Sequence, residues 1–198
     1  MQTADMVVIG GGIAGLSLAA RLAQHGRVVV LEGESAIGTH ASGRSVAVAN
    51  FGLGEVRVRT LTALSLPALA AFGTRHPALH FARADQAEAL AALEDVHRQF
   101  GCDYARISGT EARTLLPVLK PEACHAALVD HGGLKLDTDA MLQAHLAELR
   151  AAGSELVTGA RVSAIAREDG GWRVETADRL AILMENEAYF DALSSALD

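Results

Sequence analysis

The chain has 198 residues, 50% of them hydrophobic and 21% charged, which at roughly 150 residues per domain amounts to one domain, or one and part of another. Its 17 Lys+Arg are scattered against 24 Asp+Glu, a formal net charge of -7, and that balance rules out an electrostatic footprint for nucleic acid. Cys102 and Cys124 form neither a disulfide framework nor a Cys-x-x-Cys metal spacing; together with an amino terminus lacking a basic signal region and no apolar stretch of about 18 residues, they lead us to expect a soluble, cytoplasmic protein.

In chain order, Met-Val-Val-Ile at 6–9 reads as a strand buried on both faces and closed by Gly10-Gly11-Gly12. From Ile13 to His25 helix formers follow, with Gly26 expected as a left-handed stop. Val28-Val-Val-Leu31 is a second buried strand, so the first 32 residues fit a βαβ unit with a parallel sheet. Residues 33–54, rich in Gly, Ser and Ala with little charge, predict a packed loop facing a ligand.

Residues 55–72 predict a helix interrupted by Pro67, and 85–100 a second with Leu90, Leu93, Val96 and Phe100 inward. Ser108-Gly-Thr-Glu111 has the spacing of a capping box ahead of a short helix stopped at Pro117. A strand is expected at 126–129, then a helix capped by Asp137 or Thr138, striped by Leu142, Leu146 and Leu149 and ending at Gly153. Residues 155–157 predict a strand, and 161–167 with 172–176 a hairpin about Glu168-Asp-Gly-Gly171. His76 and His80, separated by Pro77, have no third ligand at metal spacing and read as non-metal; Trp172 reads as hairpin packing.

The chemistry lies in the first turn. Gly10, Gly12 and Gly15 form G-x-G-x-x-G between strand and helix, and Glu32 follows twenty residues after Gly12 at the end of the second strand. Gly10 allows the tight turn, Gly12 the approach of main chain to a pyrophosphate, and Gly15 close packing of helix on strand. The helix N-terminus, from Ile13 and Ala14, offers free N–H groups and a partial positive charge to phosphates, and Glu32 can accept from a ribose diol. The acid disfavours a 2′-phosphate, and the absence of Gly-Lys-Ser/Thr disfavours a P-loop. The fingerprint serves NAD as well as FAD.

Val7-Val-Ile-Gly-Gly-Gly-Ile-Ala-Gly15 through Val30-Leu-Glu32, followed by Gly38-Thr-His-Ala-Ser-Gly-Arg-Ser45, resembles the amino-terminal part of the FAD-dependent D-amino-acid oxidase superfamily. Its His-x-Ser/Thr-Gly-Arg-Ser pattern looks closest to the bacterial D-arginine dehydrogenase-like amino-acid dehydrogenases. The likeness continues through Leu115-Leu-Pro-Val-Leu119, Asp137-Thr-Asp-Ala-Met-Leu142 and Gly171-Trp-Arg-Val174. It implies an α/β, FAD-binding Rossmann-like fold with part of an interleaved α+β substrate domain over residues 1–179.

By the same resemblance, Gly10, Gly12, Ile13, Ala14 and Gly15 hold the FAD pyrophosphate, Glu32 the ribose, Ser42, Gly43, Arg44 and Ser45 the phosphates and flavin, and Val162 the adenine. His40 is placed near the isoalloxazine as the candidate catalytic residue. The implied reaction is hydride transfer from the amine-bearing carbon of a D-amino acid or similar small amine to flavin, with electrons passed to an acceptor of unspecified chemistry. The segments with which the family closes over cofactor and substrate are not recognised, so a truncated chain and a non-catalytic FAD-binding remnant are the alternative expectation. Residues 180–198 read as a divergent acidic tail, in which 180–183 replaces a lost strand and a helix bearing Phe190, Leu193 and Leu197 covers it.

Overall fold

A computed structural model describes residues 2–51, 54–168, 170–177 and 181–184. In chain order the elements are β1 (Gln2–Ala4), β2 (Met6–Ile9), α1 (Ile13–Leu22), β3 (Val28–Leu31), β4 (Val48–Ala49), α2 (Val56–Leu69), β5 (Gly73–Arg75), β6 (Ala78–Ala82) and α3 (Ala87–Gln99). They continue with β7 (Tyr104–Ser108), α4 (Gly109–Leu115), β8 (Ala126–Asp130), β9 (Leu134–Leu136), α5 (Thr138–Ala151), β10 (Glu155–Val157), β11 (Val162–Glu168), β12 (Gly171–Thr176) and β13 (Ala181–Met184). No helix among the described residues is long and apolar enough to cross a membrane.

The chain divides into two compact units, residues 1–45 with 138–198, and residues 46–137. In the first, β3 lies between β2 and β10 and is parallel to both, with Val7 opposite Val29 and Leu156 opposite Val30. Strand side chains alternate between faces. Val28 and Val30 therefore pack with Met6, Val8, Leu16, Leu142, Leu146 and Leu149 under α1 and α5, while Val29 and Leu31 pack with Ala4, Val174 and Ile182 on the other face. Both faces are covered, which is why the run at 28–31 is apolar at every position. The opposite cover is a second sheet in the order β1-β13-β12-β11, in which β13 is parallel to β1 and antiparallel to β12.

The expected strand at 180–183 thus has a counterpart at Ala181–Met184. The helix expected around Phe190, Leu193 and Leu197 lies outside the described residues, as does Asp169 in the hairpin turn. Gly26 corrects an expectation. α1 ends at Leu22, its C-cap Ala23 is right-handed, and Gly26 is not among the residues with positive φ. What Gly26 provides is room: a Cβ there would lie 2.7 Å from Asp5 Oδ2, the oxygen that accepts the Arg27 N–H.

In the second unit, β8 runs between β6 and β7, antiparallel to each, and β9 between β4 and β5. α3 packs through Leu90 on Leu128 and Ala82, and α4 through Ala112 on Ala127 and Cys124. Ser108 accepts the Glu111 N–H while the Glu111 carboxylate accepts the Ser108 N–H, completing the expected capping box. Pro67 does not interrupt α2. The helix runs on to Leu69 and then tightens at Ala70–Phe72, so the proline removes one donor near an end that is already unwinding. Along α3 the most deeply buried side chain, beside Leu90, is not an expected apolar residue but His97, fully enclosed.

Leu149, with no exposed surface, sits at the centre of the α1/α5 core. Leu149→Ala should lower the urea-unfolding free energy by about 2–5 kcal/mol, with the slope of the transition unchanged.

Candidate functional site

The site forms where β2 and β3 end. Gly10 has φ +107°, in the region open to glycine, and its N–H donates to the Leu31 carbonyl at 2.8 Å. A Cβ on Gly15 would come within 1.9 Å of the Gly10 carbonyl oxygen, so α1 can seat on this turn only with hydrogen at that position. The N-cap, Gly12, has no side chain to offer. Its place is taken from across the loop by Ser42, whose Oγ accepts the Ile13 N–H at 2.9 Å.

The first backbone bond of α1 is Leu16 N–H to Gly12 carbonyl, 2.9 Å. Ala14 and Gly15 therefore present N–H groups with no intrahelical acceptor, and there is no acid in this first turn to compete for them. Such an end attracts an anion through both its donors and its dipole.

Glu32 is nearly enclosed, 9% exposed. Its Oε2 accepts the Gly11 N–H at 2.6 Å and its Oε1 the Glu34 N–H at 2.9 Å. A carboxylate has about four acceptor positions, so each oxygen retains capacity for a hydroxyl. The loop that carries Ser42 is tied down in turn: Gly38 donates to the Gly11 carbonyl at 3.1 Å and Gly43 to the Gly38 carbonyl at 2.7 Å.

These groups line a cleft of about 590 Å³, within the range of roughly 300–1,000 Å³ usual for ligand sites. Of the expected site residues, Gly10, Gly12, Ile13, Ala14, Gly15, Glu32, His40, Ser42 and Val162 are in its wall; Gly43, Arg44 and Ser45 are not. Gly43 closes the turn behind Ser42, and Arg44, exposed, donates its backbone N–H to the His40 carbonyl at 3.1 Å. Trp172 stands apart from the cleft on β12, 39% exposed.

Two charged wall residues, Glu34 and Arg161, were not anticipated. Glu34 Oε1 accepts from Arg161 Nη2 at 2.8 Å and lies 3.1 Å from His40 Nε2. The hydrogen bond from His40, with the nearby Arg161 charge, holds the Glu34 carboxyl below its ordinary 4.5. Arg161 immediately precedes Val162, and Glu34 lies two residues beyond Glu32, so each adjoins an expected site residue although nothing in the sequence pairs them.

The chain matches the model of the FAD dependent oxidoreductase family over residues 5–192. Among solved structures, it is 19% identical to dithionite-reduced L-alpha-glycerophosphate oxidase from Mycoplasma pneumoniae with FAD bound, at a TM-score of 0.79, covering 92% of this chain and 53% of that one. Glycine oxidase from Geobacillus kaustophilus matches with TM-score 0.77 and 19% identity over 93% of this chain and 54% of its own. For L-proline dehydrogenase from P. horikoshii the values are 0.77, 21%, 92% and 51%. The chain thus spans about half the length of these structures.

Because a lowered folded pKa stabilises above the ordinary value and is lost as pH falls through the folded one, the Glu34 contacts should persist at pH 4.5 and break below it. Carbon-detected NMR should place the Glu34 titration midpoint below 4.5 in the wild type, and nearer 4.5 in His40→Ala.

Proposed function

Because the chain belongs to the FAD dependent oxidoreductase family, we propose that it takes part in oxidising the amine-bearing carbon of a small amino acid, a D-amino acid by preference, and that its own contribution is the FAD cradle. The observation that carries this reading is the orientation of Glu32. Its carboxylate is held on the Gly11 N–H beside the open N-terminus of α1, so that diphosphate donors and a ribose acceptor face one cleft.

The residues fit FAD. The Ala14 and Gly15 N–H groups would receive the pyrophosphate, Glu32 the adenosine ribose and the Val162 backbone the adenine. Bound FAD supplies the hydride acceptor for the substrate carbon. Ser42, Gly43, Arg44 and Ser45 are assigned along the phosphates and flavin, and His40, in the cleft wall, is the candidate catalytic residue. The narrower substrate class rests on the His40-Ala-Ser-Gly-Arg-Ser45 segment, and an amino-acid substrate is supported by the likeness to a glycine oxidase and an L-proline dehydrogenase. The two free thiols, Cys102 and Cys124, suit the cytoplasmic location we assign.

FAD added to the purified chain should bind, with quenched flavin fluorescence and resolved visible bands, and NAD should not displace it. A hydrogen bond to a charged group contributes about 1.5–3 kcal/mol, so Glu32→Ala should weaken FAD roughly tenfold to a hundredfold. Bleaching of the flavin by D-arginine or other D-amino acids in preference to glycine and L-proline would support the substrate class. No FAD uptake, or equal affinity in Glu32→Ala, would refute the cradle.

A further inference from the structure

Within the second unit, β6, α3 and β8 bring together His80, His97 and Asp130, each offering a ligand atom within 4.8 Å of the other two. His97 and Asp130 have side chains 0% and 2% exposed. His97 Nδ1 lies 2.9 Å from the Leu93 carbonyl oxygen. That oxygen can only accept, so Nδ1 carries a proton, and Nε2 is the ring nitrogen left to present a lone pair to a cation. The lone pair faces the Asp130 carboxylate, Nε2 to Oδ2, at 3.6 Å.

Two electron-rich atoms confront each other there, shut away from water. Neither His97 Nε2 nor His80 Nε2 has a hydrogen-bond partner, although both are buried. Protonating His97 would make this an ion pair at 3.6 Å, still too long for a hydrogen bond, and would leave His80 Nε2 unsatisfied. A cation among the three groups satisfies all of them at once.

We propose that His80, His97 and Asp130 form a binding site for a divalent transition-metal ion, zinc by ligand chemistry. Two imidazoles and one carboxylate suit zinc, and three protein ligands leave a fourth position for water. Zinc bonds of about 2.0–2.1 Å set ligand atoms roughly 3.3 Å apart, so the site closes by small side-chain rotations.

The outer contacts are those a metal site uses to aim its ligands. His97 donates to Leu93; Asp130 Oδ1 accepts the Gly132 N–H at 2.8 Å and Oδ2 the Phe51 N–H at 3.2 Å. The Phe51 and Tyr104 rings flank His97 at 5.8 and 5.7 Å, supplying an apolar shell. His80 lacked partners in sequence because its ligand neighbours come from a helix and a central strand 17 and 50 positions away. The ion would tie α3 to β6 and β8, independently of FAD.

The test uses the whole chain, stripped with a chelator and titrated with zinc against a chromophoric competitor. One zinc per chain is expected, with affinity reduced at least tenfold in His80→Ala and in Asp130→Asn. In wild type, which bypasses any folding defect of the variants, ring-nitrogen NMR should show His80 and His97 responding to zinc among the 8 histidines. No uptake would overturn the proposal, as would uptake undiminished in His80→Ala, or a His97 ring found doubly protonated and unresponsive to zinc.

Discussion

The bond from the Gly11 N–H to Glu32, 2.6 Å, joins the end of one parallel strand to the turn that follows its neighbour. It satisfies a donor that the sharp turn would otherwise leave stranded, and it directs the carboxylate toward the cleft rather than away from it. The turn can take this form only because α1 descends onto it, which the bare Cα of Gly15 allows. The loop at 38–43 then braces the same turn through the Gly11 carbonyl. The Glu32 carboxylate is thus positioned by main-chain N–H groups, those of Gly11 and Glu34, rather than by other side chains.

This dependence explains why the amino-terminal portion could be read directly. A run buried on both faces, three glycines at fixed intervals and an acid at the next strand end are local signals, and β2, α1 and β3 lie where those signals put them. Gly26 misled because a glycine after a helix has two possible reasons, a left-handed turn or a close neighbour, and only the fold reveals Asp5 beside it. Arg161 reaches Glu34 across 127 positions, a distance over which spacing carries no information.

The second unit was less readable for a different reason. β4, β5 and β9 have two or three residues each, too few to display a period, and their pairing is decided by partners rather than by their own composition. His97 illustrates the same limit. Helical periodicity pointed to Leu93 and Val96 as inward residues, yet the position with no exposed surface is the histidine between Val96 and Arg98. Enclosing a polar ring is worthwhile only when something satisfies it, and two of its neighbours, His80 and Tyr104, come from β6 and β7, strands the sequence did not announce.

The parallel pairing of β1 with β13 has an implication for how the molecule is made. Residues 2–4 find their hydrogen-bonding neighbours at 182–184, and β3 waits for β10 at 155–157, with all of residues 46–137 threaded in between. During synthesis these strands therefore exist well before the segments that complete their pairing. Their edges stay open until those partners exist, whereas β6 and β7 wait only for β8 at 126–130. Long loop closure of this kind slows folding, so the pairings of β1 with β13 and of β3 with β10 set the pace at which this sheet pair can be completed.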